Sequence, residues 1–144
     1  GTFIKKNGVV IILNPALEFF HHEYHVAYKR FYDEVLPATT DPFEMQEQFQ
    51  EVFAADSDLL EAYRHRFAHH GFHPFTVWYW ATYPLRYLSD VILVGPSDDR
   101  VASRLGVSWS PTLSHALGRS RELTGGDDVV ALSVPPFAYL TVDS

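Results

Sequence analysis

Residues 71–95 read GFHPFTVWYWATYPLRYLSDVILVG, and a helix running into a buried strand accounts for them best. The end of the stretch, DVILVG at 90–95, is a short run of Val, Ile and Leu closed by Gly95-Pro96. An apolar run without alternation is the mark of a strand covered on both faces, as in a parallel sheet. The aromatic part, FTVWYW at 75–80, carries strand propensity. However, the unbroken segment 74–88 has the length of a helix. Pro74 suits a first helical position and Gly71 the end of a preceding helix. A helix is therefore predicted, with Pro84 as a kink inside it.

The rest of the chain fits around this unit. VVIIL at 9–13 reads as a first strand, ended by Asn14-Pro15. Residues 24–36 read as a helix with Val26, Phe31 and Val35 inward, stopped by Pro37. Asp41-Pro42-Phe43-Glu44 has the form of a helix start, with Asp as cap, Pro first and Glu third, and the helix is expected to reach about Ala54. Asp58 and Glu61 repeat that spacing and predict a third helix to His70, with Leu59, Leu60, Tyr63 and Phe67 on one side. Further on, 97–105 predicts a helix with Val101, Ala102 and Leu105 inward and Gly106 as terminator. Residues 107–109 predict a short strand, Thr112 caps a helix over 113–124 that stops at Gly125-Gly126, and 129–134 (VVALSV) predicts a fourth strand. Strands alternating with helices give parallel pairing through right-handed crossovers. The expected class is α/β: a three-layer domain with a mostly parallel sheet of about four strands and helices on both faces. The two most apolar strands, 9–13 and 90–95, are expected to be neighbours.

Composition bounds the function. A chain of 144 residues with 47 % hydrophobic and 20 % charged side chains suits one domain with a real core. A net charge of -7 disfavours nucleic acid as partner. The absence of cysteine excludes disulfides and thiolate metal sites. No apolar run reaches the roughly 18 residues of a membrane span and no signal peptide is visible, so a cytoplasmic location without membrane contact is expected. Gly1 and the immediate entry into a strand suggest a fragment cut from a larger protein.

The order of the signals forms a pattern: NGVVIIL, then a helix with KRFYDEVL, a DPFE helix and GFHPFTVWYW, followed by DVILVG, RLGV, PTLSHAL into Gly-Gly, and VVALSVPP. Over roughly residues 8–141 this resembles the C-terminal domain of the nickel-pincer-nucleotide lactate racemase family, in particular its divergent members with a His-His stretch after the first strand. The resemblance implies a nickel-pincer nucleotide in the full-length protein, with nickel ligands, anchoring Lys and catalytic His pair in an N-terminal domain. This chain would then be one wall of an interdomain cleft for cofactor and a 2-hydroxy acid, with its own N-terminal domain as partner. It would carry no bound cofactor and no catalysis alone. The family places a Trp of the aromatic helix toward the cleft, a region held here by Trp78 and Trp80. Two departures are visible: NPALEFFHHEYH replaces the usual Asp-Gly-x-Gly turn, and FHPFTVW replaces an Asp-Gln-Trp step. The first favours a different class, a non-catalytic α/β binding or regulatory module.

The histidines carry the remaining chemistry. His21, His22 and His25 form HHEYH after the first strand, where α/β sheets place ligands. On a helix His21 and His25 share a face at a spacing able to bind metal, with Glu18 in reach as a third group. Polar roles in an active site and plain structural roles are the other readings. His69 and His70 read as the charged end of a helix, and His73 either caps the aromatic helix or faces a cleft. A self-contained metal-dependent hydrolase would need the two His clusters to converge. No four-ligand set is visible, so no tight nickel or zinc is expected. Trp78, Tyr79, Trp80, Tyr83 and Tyr87 read chiefly as core, with one Trp lining a pocket as the alternative. The shared placement of His73 with His21, His22 and His25 at the carboxyl end of the sheet is expected, because a crossover helix starts on that side.

Overall fold

The computed structural model of the chain describes residues 5–131. Three parallel strands form the sheet in the order β1-β2-β3: β1 (Val9–Leu13), β2 (Asp90–Val94) and β3 (Ser108–Ser110). β1 and β2 run in register from Val9 beside Asp90 to Leu13 beside Val94, as the apolar patterns demanded. β3 lies one residue later than expected, with Ser108 beside Ile92. The sheet has three strands among the described residues, not four. Of the expected fourth strand, Val129, Val130 and Ala131 are exposed and outside any strand, and the rest lies outside the described residues.

The two sheet faces follow the strand alternation. On one, Ile92 and Val94 pack with Val9, Ile11 and Ala116 of helix α7 (Leu113–Thr124). On the other, Leu93 packs with Val101 and Ala102 of helix α6 (Arg100–Arg104), which is shorter than predicted because residues 95–99 form bends. Thr112 caps α7 by accepting the His115 N–H at 3.1 Å, and Gly125 ends it with φ +69°. A left-handed residue here is what glycine permits cheaply.

The first five helices do not lie on the sheet as expected; they build their own core. Helix α1 (Val26–Arg30) widens into a π-helical turn, Phe31–Val35. Helix α2 (Pro42–Met45) passes through a second π turn, Gln46–Gln50, into α3 (Glu51–Ala55). Asp41 caps α2 as predicted, accepting from the N–H groups of Phe43 and Glu44. Helix α4 (Ser57–His65) is followed by α5 (His73–Leu85), the aromatic helix. Phe31, Val35, Met45, Phe53, Leu59 and Phe75 are buried together, and Leu105 bridges this cluster to the sheet-side one. Three phenylalanines interlock edge to face, Phe75 standing 4.9 Å from Phe31 and 5.3 Å from Phe53. That aromatic volume gives the helices a partner in each other.

Helix α4 departs from expectation at both ends. Its cap is Asp56, not Asp58: Oδ1 accepts from the N–H groups of Asp58 and Leu59, and Oδ2 takes Arg30 Nη1 at 2.8 Å. The Arg30 hydrogen bond, then the Leu59 N–H, holds the Asp56 carboxyl below its ordinary range. A depressed carboxylate stabilises the fold at neutral pH, and that contribution is lost as pH falls through its folded value. The helix stops at His65 because Phe67 takes a left-handed φ of 56° and is 91 % exposed. Phe67 and the half-exposed Tyr63 therefore leave the core side, where Leu59 and Ala62 remain. The turn lets the Ala68 N–H reach Ala62 O at 3.3 Å and the His69 N–H reach Tyr24 O at 3.1 Å. Among the described residues no helix is long and apolar enough to cross a membrane.

Candidate functional site: a cavity with a histidine ladder at its edge

A cavity of about 270 Å³ opens between α1, α5 and the segments leaving the carboxyl ends of β1 and β2. Ala16, Glu18, Tyr28, Tyr32, Val77 and Trp78 line much of it, and Val101 with Leu105 close the sheet side. The lining is apolar apart from one carboxylate, and that carboxylate is occupied. Glu18 Oε1 accepts from the Tyr32 hydroxyl at 2.6 Å, and Oε2 pairs with Arg100 Nη2 at 2.6 Å. Burial, and then the Glu18 carboxylate, push the Tyr32 phenol up to about 12. Tyr32 thus remains a proton donor throughout the neutral range, and Arg104 sits over its ring at 5.1 Å.

The segment feeding this wall is shaped locally. Asn14 extends the β1 ladder through its N–H to Val94 O, then accepts the Ala16 N–H on its side chain at 2.7 Å. This turn ends the strand and brings residues 16–20 back over α1.

At the start of α5 the two histidine clusters meet. His25 stacks on His69 at 5.8 Å, and His69 on His73 at 4.6 Å. Tyr28 stands edge-on to His69 and His73, with its hydroxyl 2.6 Å from His73 Nδ1. Burial pushes the Tyr28 phenol up, so it keeps its proton, and the hydroxyl shares a hydrogen bond with His73 Nδ1 whose direction follows the imidazole's tautomer. The His69 N–H bond to Tyr24 O joins the loop before α5 to the loop before α1 and sets the ladder's register. His69 is held below the ordinary imidazole range, first by burial and then by the neighbouring His73 and His25 charges. Its ring has only aromatic contacts among the described residues, and none of the three ladder rings pairs there with a carboxylate.

The remaining sequence candidates separate clearly. His21 stacks on Tyr24 at 4.3 Å and commits Nδ1 to the Glu23 N–H, placing it at the ladder's outer edge. His22 is exposed and 3.9 Å from Glu23. Trp78 lines the cavity and donates its Nε1–H to Thr40 O at 3.1 Å. Trp80 is 76 % exposed and outside the cavity lining. His69 and His70 lie in the loop after α4, not at its charged end, because the helix has already stopped at His65. His70 Nδ1 accepts from the Phe72 N–H. His73 and the His21–His25 group do share one end of the structure, as expected.

Tyr28 and Tyr32 were not singled out from sequence. The signal was present: His21, His25, Tyr28 and Tyr32 recur at steps of four, three and four, which puts polar rings on one helical face. Within the ladder the imidazoles of His25, His69 and His73 stack, and no group of three or more His, Cys, Asp or Glu among the described residues is placed to hold a metal ion. The described residues therefore do not fit a nickel site. A Ser-His contact also exists, Ser110 Oγ to His115 Nδ1 at 2.9 Å, but Ser110 is fully buried and its hydroxyl also lies on Thr112 O. Compared with protein-family models, curated proteins and solved structures, the chain has no match.

Proposed function

We propose that this chain is the ligand-facing wall of a two-domain protein, akin to the C-terminal domain of nickel-pincer-nucleotide lactate racemases. The observation that carries the reading is the cavity itself. It lies beyond the carboxyl ends of the paired parallel strands β1 and β2, the position in which open α/β sheets hold ligands. Its walls come from the segment after β1, where the chain departs from the racemase turn, and from the aromatic helix, in which the family sets a Trp toward the cleft. Trp78 is the Trp of that helix that reaches the cavity. In such a protein the cofactor, held by residues of the N-terminal domain, would supply hydride-transfer chemistry for a 2-hydroxy acid. This chain's share would be to receive the substrate's side group and exclude water from it.

A second reading, a binding module without chemistry, is favoured by the apolar lining and by a single carboxylate already paired at both oxygens. Reading the coding sequence upstream of Gly1 separates the two. The racemase-like reading expects a domain with a histidine-rich nickel and pincer-nucleotide site there. An upstream region encoding no such domain would remove that reading and leave the binding module.

A further inference from the structure

We propose that His25, His69 and His73, with the Tyr28 hydroxyl, receive the carboxylate of a small organic acid whose apolar group fills the adjoining cavity. The inference rests on reading this face as a ligand cleft, and not on any nickel chemistry.

Cavity and ladder are physically continuous. Tyr28 lines the cavity with its ring and hydrogen-bonds His73 with its hydroxyl. Pro74, next to His73, lines the cavity as well. A ligand with its apolar part against Val77 and Ala81 has the ladder at its polar end. That end holds ring nitrogens without a hydrogen-bond partner among the described residues: both of His69, and Nε2 of His73 and of His25. Neither His25 nor His69 has an unpaired ring nitrogen sealed from solvent, and His73 is an exposed residue. No carboxylate stands among the three stacked imidazoles, and His69 is held below its ordinary range by burial and then by its His73 and His25 neighbours. An arriving carboxylate reverses that balance and is held by charge-assisted hydrogen bonds. His73 also opens α5, whose first-turn N–H groups add a partial positive charge.

The other charged and titratable groups nearby do not supply this anion themselves. Glu18 spends both oxygens on Tyr32 and Arg100. Glu23 lies against His22 at the outer edge. Lys29 and Asp33 on α1 pair with each other. His21 commits Nδ1 to the Glu23 N–H, and His70 Nδ1 to the Phe72 N–H, while Tyr24 stacks on His21. The cavity's size admits one aromatic ring or a branched alkyl group on a short acid, not a nucleotide.

The sign of the pH dependence follows. His69 is held below its ordinary range in the free protein, and a bound carboxylate raises it, so binding takes up protons. Affinity for an acid therefore rises as pH falls through the imidazole range, until the ligand's own carboxylate protonates.

The test is calorimetric titration of the 144-residue chain with phenylpropionate and its uncharged counterpart, phenylpropanol. At about pH 6 the acid should bind roughly tenfold more tightly than the alcohol, and the preference should shrink toward about pH 8. Repeating the titration in buffers of different ionisation enthalpy should show proton uptake with the acid only. His73→Asn, at an exposed position, and His69→Gln should each remove most of the preference while leaving alcohol binding in place. Circular dichroism establishes that both variants are folded. Equal binding of acid and alcohol, or acid binding without proton uptake, overturns the carboxylate subsite while the ligand-cleft reading survives. Absence of binding by either probe to the folded chain overturns both.

Discussion

Gly71→Ala should cost roughly 3 kcal/mol or more and lower the melting temperature by about 10 °C or more. A Cβ at this position would lie 2.1 Å from the carbonyl oxygen of Phe53 and 2.9 Å from its carbonyl carbon. Both are backbone atoms, so no side-chain rotation relieves the clash. Leu59 Cδ1, at 3.1 Å on another side, blocks the way out. Relief requires lifting the loop that carries His69 and His73 off α3. Gly118→Ala is the internal control: nothing lies within 4 Å of its added Cβ, and it sits inside α7. There alanine should raise stability by about 0.5–1 kcal/mol through helix propensity. Thermal unfolding followed by circular dichroism reads both. A Gly71→Ala protein melting within about 2 °C of the parent would contradict the close packing of this loop.

The second large effect is expected at Phe75. Its side chain is fully buried at the centre of the helical core, edge to face with Phe31 and Phe53. Phe75→Ala removes the ring that both neighbours pack against and leaves a cavity the helices cannot close. The expected loss is about 3–5 kcal/mol in denaturant unfolding, with Phe75→Leu costing clearly less. Phe67→Ala offers the contrast, since that ring is 91 % exposed and its loss should be nearly neutral. Comparable losses at the two positions would mean that the core is not organised around Phe75.

The parts of the fold that were legible in the sequence are those fixed by local chemistry. The apolar run DVILV declares a central parallel strand because no other element buries both faces of so short a run, whereas VVIIL, equally apolar, pairs beside it at the sheet's edge with Ile12 and Leu13 exposed. Asp41 before Pro42 and Thr112 before Leu113 mark helix starts because a side-chain oxygen there satisfies N–H groups that the helix leaves open. The segment 73–85 is helical in spite of its strand-prone aromatics, because Phe75 and Trp78 find their partners on other helices.

What stayed hidden depends on distant contacts. The early stop of α4 at His65 follows from a left-handed Phe67 and from two backbone hydrogen bonds, one reaching across to Tyr24. Nothing in the spacing of Tyr63 and Phe67 announces either. For the same reason His69 was read at a helix end, when it is the middle rung of the ladder. The π turns at Phe31–Val35 and Gln46–Gln50 leave no periodic signature in such short helices. Of the two tryptophans set toward a cleft, the sequence could not rank them. Trp78 faces the cavity because its indole is anchored on Thr40, while Trp80, two residues on, points to the opposite side of α5.

The cavity between α1 and α5 is the proposed meeting point of this chain and its ligand, and methyl-detected NMR of the folded chain, titrated with phenylpropionate at about pH 6, tests that placement. Progressive shifts are expected at the methyl groups of Ala16, Val77, Ala81, Val101 and Leu105, all of which line the cavity. Methyl groups on the far side of the sheet, such as Ala116, should stay fixed. Shifts confined to other surfaces, or none at all in a folded sample, would contradict it.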